Sequence, residues 1–324
     1  LGRRKSGRSV NGILLLDKAA GISSNSALQR VRRLYDANKA GHTGSLDPLA
    51  TGVLPVCFGE ATKFSQFLLN ADKAYRVKAR FGLRTDSCDI DGKTIDSFDT
   101  SDLTEQQIRV AMQPLTGDIQ QIPPMVSALK QDGQRLYKLA RQGIEVERPA
   151  RPVSIKDFRM LEFCSGAEAT AVFEVECSKG TYIRSLISDL GDALGCGGTV
   201  QKLRRISSGG FAETDCFTEV QLAEQAEKSG AESLDRHLLP MELLMEQFQR
   251  VDLAASATDF FMLGQAVMLP EAYRFGAEGD IVRVFREEGG SESSSESTFL
   301  GAGELIDDGD LQLKVQPKRL RADI

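Results

Sequence analysis

No apolar run in the 324 residues approaches the about 18 that a membrane-spanning helix needs, and the opening Leu1-Gly-Arg-Arg-Lys-Ser-Gly-Arg8 lacks the apolar core of a secretory leader. A cytoplasmic, non-membrane protein is expected. Histidine is scarce: His42 and His237 are the only two, and neither stands near a ligand-spaced partner. The cysteines at 57, 88, 164, 177, 196 and 216 form no Cys-x-x-Cys pair. A zinc site therefore has no sequence support, and reduced thiols are expected. An excess of positive charge is also missing. The formal net charge is -6, which argues against indiscriminate binding of nucleic acid through a wholly basic surface.

The charge that is present is unevenly spread. Basic residues gather at Arg3 to Arg8, at Arg30, Arg32, Arg33 and Lys39, at Arg76, Lys78 and Arg80, at Lys202, Arg204 and Arg205, and at Lys318, Arg319 and Arg321. Acidic residues collect around Glu213 to Glu246 and Glu278 to Asp310. A polyanion met by one face would explain this distribution, and so would a set of solvated surface patches.

A hydrophobic content of 41% over this length allows a substantial core and two domains. Ile13 to Leu16 and Val53 to Phe58 read as buried strands, and a helix is expected after Ser23 and Ser24, where Leu28, Val31, Leu34 and Tyr35 share one stripe. Between Lys73 and Phe81, Tyr75, Val77, Ala79 and Phe81 alternate with Arg76, Lys78 and Arg80, the pattern of a half-buried strand with a cationic outer face. Further helices are expected at 61–69, 103–112, 134–141, 181–194, 217–228 and 235–246, and paired strands at 153–163 and 169–177. Strands and helices interleave without βαβ repetition, so the fold class expected is α+β with a mixed, largely antiparallel sheet flanked by helices. The pattern changes near residue 250 to short strands broken by glycine. The expected division is a basic tail at 1–10, a main domain at 11–249, and a small β-rich domain at 250–324 with an acidic, serine-rich loop at 286–298.

Gly41-His-Thr-Gly-Ser-Leu-Asp-Pro-Leu-Ala-Thr-Gly52 is the most informative segment. Its glycines permit positive φ and close backbone approach, and Pro48 keeps Asp47 out of the helical region. Taken alone the segment fits a structural Asp-Pro turn, a phosphate cradle lacking the Gly-Lys-Ser/Thr ending of a P-loop, or a loop presenting a catalytic carboxylate.

Together with Asp17-Lys-Ala-Ala-Gly-Ile-Ser-Ser24, the Tyr75 strand, Ser127-Ala-Leu-Lys130 and Lys179-Gly-Thr-Tyr-Ile-Arg184, this loop resembles in order and spacing the TruB family of tRNA pseudouridine synthases. The motifs span residues 11 to 205. Two positions depart from the family pattern: Ala19 stands where the family usually has Pro, and Val126 where it often has Tyr or Phe. The resemblance implies a pseudouridine synthase fold followed by an RNA-binding domain of the PUA type. It also implies isomerisation of the uridine at position 55 in the TΨC loop of tRNA, after the base is flipped out. Such a reaction breaks the bond from N1 to C1′ and joins C5 to C1′, so neither a redox cofactor nor a metal is required.

By the same resemblance Asp47 is the catalytic carboxylate and Arg184 the cation that keeps it ionised, while Tyr75 stacks on the uracil. His42 fills the gap left in the RNA, and Tyr182 and Leu203 line the uracil pocket. Lys63, Arg76, Lys78 and Arg80 are candidates for RNA phosphates, and Lys179-Gly180 marks a helix start that suits an anion. Without the family pattern, Tyr75 reads as core, and Arg184 reads equally as a surface helix residue or as a partner of a carboxylate. His237 reads as structural in either case. A monomer that binds the TΨC arm and acceptor stem of tRNA without an obligate protein partner is expected; the alternative is an RNA-folding chaperone that does not need catalysis.

Overall fold

The computed structural model describes residues 7–127, 129–131, 133–269, 272–287, 297–307 and 313–324. Most of the expected basic tail, and residues 288–296 of the expected acidic loop, lie outside this range. The first elements are β1 (Gly12–Lys18), α1 (Ser24–Leu34), β2 (Ala40–His42), β3 (Thr51–Phe58), α2 (Ser65–Leu69) and β4 (Lys73–Phe81). A small hairpin of β5 (Leu83–Thr85) and β6 (Thr94–Ser97) precedes α3 (Glu105–Met112) and β7 (Gly117–Gln121). Next come a short pair, β8 (Lys130–Gln131) and β9 (Gln134–Arg135), then α4 (Leu136–Arg141) and two long strands, β10 (Arg151–Cys164) and β11 (Thr170–Cys177). The first unit ends with α5 (Ile183–Ala193), β12 (Gly198–Ser208), β13 (Phe211–Ala212), β14 (Phe217–Thr218) and α6 (Glu219–Ser229).

These strands build a mixed sheet in the order β14-β1-β3-β12-β4-β11-β10-β7, with β2 on β3 and β13 on β12. Only β1/β14 and β3/β12 pair in parallel. Every other pairing is antiparallel, as the interleaved pattern predicts. The apolar stripes of α1, α3 and α5 close one face around Leu14, Leu16, Leu54, Val56, Val77 and Phe173. Three local differences from the sequence reading have physical causes. The helix expected at 61–69 is a 3-10 turn followed by α2, with Phe64 as the junction. The helix expected at 235–246 divides into two 3-10 segments on either side of Pro240, which lacks the N–H a continuous helix would use. Residues 134–135 pair as a strand, so that helix starts only at Leu136.

A second sheet follows, formed by β15 (Gln249–Leu253), β16 (Val267–Met268), β17 (Ile281–Arg286), β18 (Thr298–Asp307) and β19 (Leu313–Leu320), with α7 (Ala255–Met262) alongside. Its order is β15-β17-β18-β19-β16 around Val251, Val282, Val284 and Leu305. The two units share a core. Phe285, Phe299 and Ala302 join Ile13, Leu15, Val53, Phe64 and Phe67 in one buried cluster, with the Phe64 and Phe299 rings 5.2 Å apart. Polar ties run beside it, from Lys63 Nζ to the Leu320 carbonyl at 3.0 Å, from the Ala322 N–H to Glu60 at 2.7 Å, and from Asn11 to Asp323 at 2.9 Å. No helix among the described residues is long and apolar enough to cross a membrane.

Candidate active site

Asp47 lies in the loop between β2 and β3, and the Asp17–Ser24 segment braces that loop. The Ser24 hydroxyl donates to the Leu46 carbonyl at 3.0 Å and accepts from the Leu46 N–H at 2.7 Å. The Gly21 N–H donates to the Pro48 carbonyl at 2.8 Å, and Lys18 Nζ reaches the same oxygen at 3.3 Å while also bonding the Ala19 and Ile22 carbonyls. Lys18 is 1% exposed, and burial lowers its pKa to about 8, with Asp47 opposing the shift and Arg205 adding to it. Two short motifs far apart in sequence thus form one rigid cradle around residues 46–48.

Opposite this loop, α5 follows its N-cap residue Tyr182 and carries Arg184 inward. Arg184 is 2% exposed, and its Nε stands 2.9 Å from Asp47 Oδ2, an ion pair whose angle is too bent for a hydrogen bond. The rest of the guanidinium is held by the Ser87 carbonyl at 2.9 Å and the Val126 carbonyl at 2.7 Å. A second carboxylate, Asp89, sits 3.5 Å from Arg184 Nη1 and accepts from the Ser87 hydroxyl at 2.6 Å. Burial raises the Asp89 pKa, and both Ser87 and Arg184 oppose that rise. Because Arg184 uses the Val126 carbonyl, the departure from an aromatic residue at 126 leaves this contact intact. Asp47 keeps its side chain 39% exposed toward the opening, so the carboxylate is anchored from behind and accessible in front.

The sheet floor supplies the remaining side chains. Tyr75 on β4 is opposite Arg205 on β12, and Val77 is opposite Leu203, so Tyr75, Leu203 and Arg205 share the face that looks toward Asp47. Burial raises the Tyr75 pKa while Arg205 pulls it back, and Asp47 adds to the rise. Tyr182 is also shifted upward by burial, with the neighbouring Ser127 hydroxyl opposing and Asp47 adding. His42, at the end of β2, has a buried Nδ1 without a partner among the described residues, and burial together with Arg205 lowers its pKa. Asp47 thus pairs with Arg184 and lies within electrostatic reach of Tyr75 and Tyr182, while Leu203 shares the Tyr75 face and His42 feels Arg205.

The four phosphate candidates are placed differently. Strand alternation turns Arg76, Lys78 and Arg80 to the face opposite Tyr75, away from the cleft. There Arg76 pairs with Glu174 at 2.6 Å and Glu213 at 3.7 Å, and Arg80 pairs with Glu168 at 2.6 Å. Arg204, beside Arg76, pairs with Asp17 at 2.8 Å and with Glu213 at 2.5 Å. Lys63 is occupied by Glu60 at 2.5 Å and by the Leu320 carbonyl in the seam between the two sheets. These four candidates for RNA phosphates thus lie off the Tyr75 face, and Arg76, Arg80 and Lys63 already pair with carboxylates.

Sequence reasoning missed Asp89, Ser24, Lys18 and Arg205 as parts of the site. The Asp89 signal was only one acid among several in Asp86-Ser-Cys-Asp-Ile-Asp91, and Arg205 looked like surface charge. No group of three or more His, Cys, Asp or Glu among the described residues is arranged to hold a metal.

Residues 32–183 match the family model described as TruB family pseudouridylate synthase (N terminal domain). Residues 184–246 match the tRNA pseudouridylate synthase B C-terminal domain, and 250–320 match Pseudouridine synthase II TruB, C-terminal. The chain is 52% identical to the tRNA pseudouridine synthase B of Saccharophagus degradans over 318 residues, covering 98% of both. It is 46% identical to that of Shigella boydii serotype 4, covering 98% of this chain and 97% of the relative. Among solved structures, a chain from a Cbf5-Nop10-Gar1 complex superposes with a TM-score of 0.71 at 26% identity, over 95% of this chain and 84% of that one. The family models and the identity over nearly the full length agree: the chain belongs to the TruB family of pseudouridylate synthases.

Proposed function

We propose that this chain isomerises the uridine at position 55 in the TΨC loop of tRNA, with Asp47 as the catalytic carboxylate acting on a flipped-out nucleotide. The observation that carries the reading is the Asp47–Arg184 pair, 2.9 Å apart, with the arginine buried and the carboxylate open to the cleft. The buried guanidinium gives the carboxylate a fixed, charged partner, and Tyr75 offers a planar surface on which a detached uracil can turn. Tyr182 and Leu203 would border that uracil, and His42 would occupy the space it vacates in the RNA. Support for tRNA as substrate comes from the relatives' names.

In this reading residues 11–249 carry the chemistry, and residues 250–324 act as a PUA-type domain on the acceptor stem. The enzyme works as a monomer in the cytoplasm, without cofactor or obligate protein partner. The test is to incubate the purified chain with an unmodified tRNA transcript and map pseudouridine at single-nucleotide resolution. Pseudouridine at position 55 with the unaltered chain, and none with Asp47→Asn, is expected. Modification at another position would overturn the assigned target, and modification by Asp47→Asn would overturn the carboxylate's role.

A further inference from the structure

We propose that Arg205 is a positioning residue that sets the spacing between the Asp47 loop and Tyr75. The inference rests on the functional reading of those two residues given above. Arg205 is 1% exposed and heads the largest fully buried side chains. Its Nε donates to the Val53 carbonyl at 2.7 Å and its Nη2 to the Gly44 carbonyl at 3.2 Å. Residues 44 and 53 bracket the catalytic loop, so one guanidinium ties the loop's entrance to its exit. The strand register sets the same residue opposite Tyr75.

The backbone around Arg205 is shaped for this contact. Gly52 has φ +100°, and a Cβ there would lie 2.1 Å from the Arg205 carbonyl oxygen. A Cβ on Gly44, at φ +77°, would meet Arg205 Nη1 at 3.6 Å. Glycine at 52 lets the chain run close against the Arg205 backbone, and glycine at 44 takes the left-handed turn that presents its carbonyl to the guanidinium.

The charge itself needs a reason. Among the described residues no carboxylate pairs with Arg205, and an unpaired buried cation is costly where a long apolar side chain would fill the same volume. Its influence is felt at the site: it opposes the burial-driven rise of the Tyr75 pKa and adds to the lowering at His42. Lysine cannot take its place, because one ammonium on a flexible stem does not span two fixed carbonyls as a planar guanidinium does.

The experiment compares Arg205→Lys, Arg205→Met, Tyr75→Phe and the Arg205→Lys/Tyr75→Phe double variant with the unaltered chain, using unmodified tRNA transcript. Arg205→Lys is expected to lower kcat about a hundredfold, the loss typical of a catalytic group displaced by about 1 Å, with KM close to unchanged. The double variant should be little slower than the slower single variant, because the arginine acts through the tyrosine and the loop. Wild-type turnover in Arg205→Lys, or losses that simply multiply, would overturn the proposal.

With only two histidines in the chain, a magnetic-resonance titration gives an independent readout. In Arg205→Met the His42 pKa should rise, while His237, packed at a tilt against Phe217 at 4.0 Å and bonded to Gln225, should not move. Should neither arginine variant fold, Arg205→Gln, which keeps a donor for one carbonyl but cannot reach both, takes their place in the kinetic comparison. An unaltered chain that makes no pseudouridine sinks the functional reading instead, so the two failures are distinguishable.

Discussion

Arg184 balances two carboxylates on one guanidinium, so its loss would leave Asp89 buried without its cation and Asp47 without its anchor. Arg184→Met is therefore expected to abolish nearly all turnover while tRNA affinity stays close to that of the unaltered chain, which single-turnover kinetics and filter binding would check together. Loss of binding with retained turnover would contradict the assignment. Tyr75 can be tested at the same scale. Tyr75→Phe keeps a planar ring and Tyr75→Leu does not, so stacking predicts that Leu turns over much more slowly than Phe; equal rates would refute it. Asp47, Arg184 and Tyr75 were legible because each stands in a motif with a fixed neighbourhood. Arg205 and Asp89 were not, since a charged residue in sequence carries no mark of which face it will occupy or whether burial will single it out. Arg76 shows the same limit from the other side: alternation correctly gave it a solvent face, but only the three-dimensional sheet reveals that this face is turned away from the cleft.

At the level of elements, the loop at 41–52 behaves as a part clamped by its neighbours. Ser24→Ala removes both bonds to Leu46, and an effect of about 1–3 kcal/mol on unfolding is expected from the buried backbone groups it strands. Equilibrium denaturation would measure it, and a loss of kcat larger than the loss of stability would show that the loop needs this brace in place. Lys18 gives the clamp a pH signature. Its pKa falls from the model-compound 10.5 to about 8 in the folded chain, so between those values the unfolded chain holds a proton that the folded chain has released. Its contribution accordingly makes unfolding harder as pH rises from 8 toward 10.5. Urea midpoints taken at pH 8 and pH 10 should show a smaller gain in Lys18→Met than in the unaltered chain. Elements with a clean period were the easiest to read: β4 has the predicted bounds because its alternation is unbroken. The 235–246 segment misled because its apolar spacing is helical while Pro240 interrupts the hydrogen bonding that a helix of that length requires.

At the scale of the whole molecule, the change of pattern near residue 250 announced a second β-rich unit, but nothing in either segment announced the core they share. Ile13, Leu15, Val53, Phe64 and Phe67 are covered in part by Phe285, Phe299 and Ala302, so cutting the chain near 250 would expose large apolar side chains, each worth about 1.5–3 kcal/mol when fully buried. Truncation is expected to lower the Tm of residues 1–249 as well as their affinity for tRNA; an unchanged Tm, read by calorimetry, would mean that the seam contributes no stability. The Phe64–Phe299 ring contact and the core around it give the two units the character of a caliper whose jaws are locked. If both units hold the RNA, as proposed above, one lengthened by a few base pairs between its target loop and its far end would satisfy one jaw or the other but not both, and selection would fall on the substrate's dimensions before any base is read.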